Sequence, residues 1–161
     1  MLPLKGQSAG PAAKSDGAID IVDEAITLFR STIMFKNFKP EGPADKVIVY
    51  LTVFIQKCLL EIQRKGINCS RADASSIVDL LVKEAVPASS DSKFFMRQLG
   101  LLTVPKGNAE EDKFRKTLTQ LKTECARRLL DTIYDYDAMD LKYWLQFGKK
   151  PFLGQKFNDK L

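Results

Sequence analysis

The chain has 161 residues, is 45% hydrophobic and 28% charged, and carries 25 basic against 20 acidic residues for a net charge of +5. That composition is ordinary for a globular protein and excludes a chain disordered throughout; folding at this length buries roughly 68–70% of the unfolded surface, enough for one core without staples. No apolar run approaches the roughly 18–20 residues that a membrane-spanning helix needs, so no membrane insertion is expected.

Residues 1–18 read as an extended N-terminal arm, and 19–161 as a single helical domain. Pro3, Gly6, Gly10, Pro11 and Gly17 discourage regular structure in the arm. Such a segment is either mobile or laid on a partner. The start, Met1-Leu2-Pro3-Leu4-Lys5-Gly6, lacks the basic residues and sustained apolar stretch of a secretory signal.

The first helix is expected to start at Asp20, whose carboxylate can cap, with Asp23 and Glu24 in the first turn. Val22, Ile26, Phe29 and Ile33 fall on one stripe. Pro40, Gly42 and Pro43 stop it.

A second helix spans 44–65, with Pro43 suited to its first position and Gly66 to its end. It is apolar nearly all round from Val47 to Ile55. That pattern predicts the central helix, surrounded by the others. Asp45, Thr52, Gln56 and Gln63 share a narrow stripe, read as its water-facing edge.

Ser70 with Asp73 resembles a capping box for a third helix through Ile77, Val78, Leu80, Leu81 and Val82, ended by Pro87. Residues 88–105 have no clear period and could hold a short helix and an extended segment. Asn108 with Glu111 is a second capping pattern, starting a helix to about Ile133. Phe114, Leu118, Leu121, Cys125 and Leu129 align on its apolar face. Lys113, Lys116, Gln120, Glu124, Arg127 and Asp131 lie mostly opposite, as a solvated face. Asp140 is a candidate cap for a last short helix carrying Leu141, Tyr143, Trp144 and Phe147. The tail is basic, with Lys149, Lys150, Lys156 and Lys160 against Asp159. The predicted fold class is all-α, a compact bundle of about five to six helices.

The chain has no histidine. This removes Ser-His-Asp and Cys-His nucleophile systems and the two-His zinc signatures. Cys58, Cys69 and Cys125 lie too far apart for zinc-ribbon spacing and read as reduced cytosolic thiols. Phosphate-cradling glycine loops are absent. Asp131, Asp135, Asp137 and Asp140 cluster around two tyrosines, but their spacing is not that of an EF-hand, and a solvated turn is the better reading. The chain is therefore expected to be no enzyme, with no cofactor and no metal.

Four blocks carry a family resemblance. Asp20-Ile21-Val22-Asp23-Glu24-Ala25-Ile26 leads to Phe35-Lys36-Asn37-Phe38, and Ala44-Asp45 opens the Tyr50-containing helix that ends in Cys58-Leu59. Pro105-Lys106-Gly107-Asn108 precedes Leu118-Thr119-Gln120-Leu121, and Lys142-Tyr143-Trp144-Leu145-Gln146-Phe147 precedes Lys149-Lys150-Pro151-Phe152. Together with Leu2-Pro3-Leu4-Lys5 in the arm, these blocks resemble subunit 3 of the actin-related protein 2/3 complex, which nucleates branched actin filaments. Residues 66–104 depart from that pattern, and the family's paired Trp stands here as Tyr143-Trp144, as in a divergent homologue.

The resemblance implies an all-α body in one copy of a hetero-oligomer, beside actin-related protein 3 and the other subunits, acting on an actin filament in the cytoplasmic actin cytoskeleton. It implies no catalytic or nucleotide site. Candidate partner contacts are Leu2, Pro3 and Leu4 in the arm, Phe35, Lys36, Asn37 and Phe38 in the first inter-helix turn, and Trp144, Lys149, Lys150 and Phe152 at the end. The alternative is a stand-alone basic helical module binding nucleic acid or acidic lipid, which the mild positive charge also permits. Sustained Lys/Arg clustering is lacking, so no nucleic-acid partner is expected.

Overall fold

The computed structural model describes all residues except Met1, Gln7, Lys36, Val104, Asp137–Asp140 and Asn158–Leu161, and describes Tyr136 by its backbone alone. Among the described residues the fold is all-α, with α1 at Ile21–Met34, α2 at Pro43–Lys65, α3 at Arg71–Lys83, α4 at Phe95–Gln98, α5 at Asn108–Asp131 and α6 at Leu141–Leu145. A π-helical turn, Thr132–Tyr136, continues α5. The expected cap at Asp140 lies outside the described residues.

Local chemistry sets the helix ends. Asp20 Oδ1 accepts from the amides of Val22 (3.0 Å) and Asp23 (3.1 Å), and Asp23 Oδ2 accepts from the Asp20 amide (3.2 Å), so α1 opens with a reciprocal cap. Pro43 is the first residue of α2, and Asp45 Oδ2 accepts from the Gly42 and Glu41 amides at 2.9 and 3.0 Å. Ser70 Oγ caps α3 through the Asp73 amide at 3.1 Å. That helix stops at Lys83, ahead of Pro87, and Leu80 faces solvent.

Every residue of α2 from Ile48 to Leu60 is buried. α1, α3, α5 and α6 all pack on it, as a helix with no polar face demands. Each large side chain enclosed this way contributes about 1.5–3 kcal/mol relative to exposure. The α1 stripe Val22, Ile26, Phe29 and Ile33 is buried against it. Phe29 also stacks on Trp144, with ring centroids 6.0 Å apart and planes 12° apart.

The water-facing edge expected on α2 does not exist at its centre. Thr52 and Gln56 are both buried, and the C-terminal tail crosses the stripe at Gln56. Gln56 Nε2 donates to the carbonyls of Phe147 (3.1 Å) and Lys150 (2.8 Å). The tail lies so close that a Cβ on Gly148 would stand 3.1 Å from the Leu60 nitrogen.

Two expectations for α5 also change. Gly107, at φ 136°, precedes the helix, while Glu111 reaches across to Ser89 and accepts from its amide (2.8 Å) and hydroxyl (2.5 Å). Asn108 and Glu111 are therefore no capping pair. On the supposedly solvated face, Gln120 and Glu124 are buried. The arm covers them.

Candidate functional site: the arm seam and the α1–α2 turn

The arm is laid on the chain's own α5. Its backbone closes on itself: the Leu4 amide donates to Ala13 O (2.8 Å) and the Ser15 amide to Leu4 O (2.9 Å). Leu4 plugs into the common apolar core. Side chains of α5 then satisfy the arm's backbone groups. Gln120 Oε1 accepts from the Ala12 amide at 3.0 Å, and Gln120 Nε2 donates to Ser8 O at 3.1 Å. Glu124 Oε1 accepts from the Ser8 amide at 3.1 Å. A Cβ on Gly10 would fall 2.7 Å from Gln120 Cβ, so only glycine permits this approach.

Arg128 is the centre of the seam. Its guanidinium donates to Asp20 (2.6 and 3.0 Å), Asp23 (3.0 Å) and Glu124 (3.1 Å), and to the carbonyl of Lys5. Lys5 adds an ion pair to Asp23 at 2.8 Å, and its amide donates to Asp20 Oδ2 at 2.6 Å. Burial works against the charge on Asp23, but Lys5, the Asp20 amide and Arg128 outweigh it and hold the carboxyl below its ordinary range. Burial likewise opposes ionisation of Glu124, and Ser8, Arg127 and Arg128 outweigh it. The guanidinium stays charged when buried, and its three carboxylates offset the cost of taking it out of water.

The seam was not legible in sequence. Asp20 stands in the sequence as a cap and as the first residue of a family block, and Arg128-Leu129 as one further short element of the same resemblance; neither marks a buried ion pair. Apart from Glu124, one turn away, the partners of Arg128 lie more than a hundred residues away.

The predicted contact residues separate into exposed and enclosed sets. Leu2, Pro3, Phe35, Asn37 and Lys149 are exposed, Phe38 and Lys150 are half-buried, and Leu4, Trp144 and Phe152 are buried in the core. Lys36 lies outside the described residues. Phe38 packs on Phe152, with centroids 6.3 Å apart, which joins the α1–α2 turn to the tail. A tight turn holds Phe152: its amide and carbonyl both pair with Gln155 at 2.9 Å, with Leu153 and Gly154 at positive φ between them. Phe35, 60% exposed, and Lys149 are thus carried on neighbouring segments.

Other sequence candidates are structural. Arg71 binds Asp131 (2.5 Å) and Asp135, while Asp137 and Asp140 lie outside the described residues. Among the described residues no group of three or more His, Cys, Asp or Glu side chains is arranged to hold a metal. All three cysteines are buried and unpaired. Burial pushes the Cys125 thiol up to about 12 and the Cys58 thiol well above its usual range.

The chain matches the P21-Arc family model, described as the ARP2/3 complex ARPC3 (21 kDa) subunit, over residues 1–157. It is 38% identical over 157 residues to actin-related protein 2/3 complex subunit 3 of Dictyostelium discoideum, covering 96% of this chain and 87% of that protein. The subunit 3 of Arabidopsis thaliana is 35% identical over 154 residues, covering 95% of this chain and 86% of that protein, and that of Schizosaccharomyces pombe is 34% identical over 158 residues, covering 96% and 87%. The match runs through the segment between α2 and α5, where the quoted motifs are sparse, as well as through both ends. The chain belongs to the family of subunit 3 of the actin-related protein 2/3 complex.

Proposed function

We propose that this chain is a non-enzymatic structural subunit of the actin-related protein 2/3 complex, supporting nucleation of branched actin filaments through protein–protein contacts. The observation that carries this reading is the family match across residues 1–157. It works in the cytoplasm, at the actin cytoskeleton, as one copy beside actin-related protein 3 and the other subunits and close to the actin filament. Nucleic acid is not among its partners and it does not insert into a membrane; among the described residues no helix is long and apolar enough to cross one.

The contacts come from Leu2, Pro3, Phe35 to Phe38, Lys149 and Lys150, with Leu4, Trp144 and Phe152 holding those segments from beneath. Exposed aromatics with polar neighbours are the residues that desolvate most favourably on docking. The absence of histidine from the sequence and the suppressed ionisation of the buried thiols support a role without catalysis.

Affinity capture of the tagged chain from its own cytosol, with mass identification, tests the reading. Recovery of actin-related proteins is expected, reduced by Phe35→Ser without loss of helicity. Recovery of nucleic acid or lipid alone, at gentle salt, overturns it.

A further inference from the structure

The enclosure of α2 is incomplete at its start. Val47 belongs to the same apolar run as the buried residues from Ile48 onward, yet it is only half-buried, and Pro43 is exposed. Two adjoining hollows open there. One, of about 280 Å³, lies toward α4 and α5, against Tyr50, Leu102, Phe114 and Leu118. The other, of about 350 Å³, lies toward the arm and α1, against Leu2, Ile21, Thr117 and Leu121. Pro43 and Val47 stand in the wall of both, so the two form one groove between the start of α2 and the first half of α5. Leu2, 36% exposed, lies at its arm end. A contiguous apolar hollow left open to water marks a docking surface.

We propose that this groove receives an amphipathic helix of another protein, with carboxylates beside its apolar stripe. The shape argues for a helix. On α5 the first hollow is bounded by Phe114 and Leu118 and the second by Thr117 and Leu121, two pairs each one turn long and offset by three residues. At 1.5 Å per residue that offset is about 4.5 Å along α5. Apolar side chains at i and i+3 or i+4 on a second helix have nearly this spacing, so one stripe fills both hollows. The charge argues for acidic flanks. Lys46 is the one charged side chain in either wall, and it makes no hydrogen bond or ion pair among the described residues. Lys113, one turn before Thr117, is exposed and equally unengaged among them. Nearby carboxylates are turned to backbone amides: Asp45 to those of Gly42 and Glu41, and Glu110 to that of Lys106 at 2.7 Å. A second copy of this chain is the poorer occupant, because two chains of net charge +5 repel. Only the partner's place in a complex rests on the reading as a subunit; the groove itself does not.

The probe is a synthetic helical peptide of about 18 residues, roughly five turns. It carries leucine at i, i+3, i+4 and i+7 and glutamate on both sides of that stripe. Its fluorescence anisotropy is to be followed against the full-length protein at near-physiological ionic strength. Saturable binding in the micromolar range is expected. It should be lost when the same residues are shuffled to break the stripe, and when lysine replaces glutamate. Lys46→Glu and Leu2→Asp should each weaken binding about tenfold or more, equivalent to ~1.4 kcal/mol. Lys83→Glu, the same charge change on the exposed side of α3, should leave it unchanged. The two groove variants sit on separate segments, so either tests the site where the other fails to fold. Absence of saturation, equal binding of the shuffled peptide, or an equal loss in Lys83→Glu overturns the assignment. Self-association of the chain that the peptide competes away overturns it too, in favour of a second copy. Affinity capture of the complex can succeed or fail independently of this titration.

Discussion

Arg128 and Asp20 form a two-pronged ion pair, Nη1 to Oδ1 at 2.6 Å and Nη2 to Oδ2 at 3.0 Å, between side chains that are 9% and 1% exposed. The same aspartate caps α1, and the same arginine grips the carbonyl of Lys5. One pair therefore ties the start of α1, the end of α5 and the arm together.

Arg128→Met is expected to destabilise the protein by about 3–5 kcal/mol, because Asp20 is left buried beside two further carboxylates. The double variant with Asp20→Asn should be less damaged than the sum of the singles, since it removes the uncompensated charge. Urea unfolding of the four proteins measures the coupling. Full additivity would show that the two residues act independently.

The seam should loosen in acid. Asp23 and Glu124 ionise more readily in the folded chain than their ordinary values of 3.8 and 4.5. Their contribution is then fully present above those values and is lost as pH falls through the lower folded values. Amide exchange at Ser8 and Ala12 is expected to be flat from pH 7 to about 5, after correction for intrinsic rates, and to accelerate below about 4. Equal acceleration in α2 amides would mean global unfolding instead.

Thr52 and Gln56 share one stripe and carry opposite expectations. Thr52 Oγ1 is buried without a hydrogen-bond partner, so Thr52→Val, of nearly the same shape, should stabilise by about 1 kcal/mol. Gln56→Leu removes the donor to two tail carbonyls and should cost about 1–3 kcal/mol. Thermal unfolding resolves the signs, and a loss of stability in Thr52→Val would refute the first.

The native thiols should be inert. Only thiolate reacts, and burial raises Cys58, Cys69 and Cys125 above their ordinary range. A disulfide reagent at pH 8 is expected to label none of the three in the folded protein and all of them in denaturant. Rapid labelling of the folded chain would contradict the enclosed core.

Local and periodic features were readable from the chain alone. The α1 cap needs only Asp20 and Asp23, three residues apart. The apolar Val47–Ile55 run could be soluble only if other elements surrounded it, and the structure buries it from Ile48 onward, with Val47 half-buried. The family blocks, linear by nature, pointed to the family that the comparisons establish. Polar residues were another matter. Gln120 and Glu124 on α5, and Thr52 and Gln56 on α2, sit where helical periodicity assigns water. Whether water or protein meets them depends on the paths of the arm and the tail.

Helix ends and apolar stripes are decided by neighbours within a turn or two, so sequence by itself determined the all-α class, the α1 and α2 caps and the enclosed second helix. Tertiary structure decided the rest: the arm on α5, the tail across α2 and the ion pairs of Arg128 with Asp20 and Asp23. Those contacts join residues about ninety or more positions apart, for example Gln56 with Phe147 and Asp20 with Arg128. A polar side chain has one identity in the sequence but two possible solvents, water and protein, and only the packed chain chooses between them.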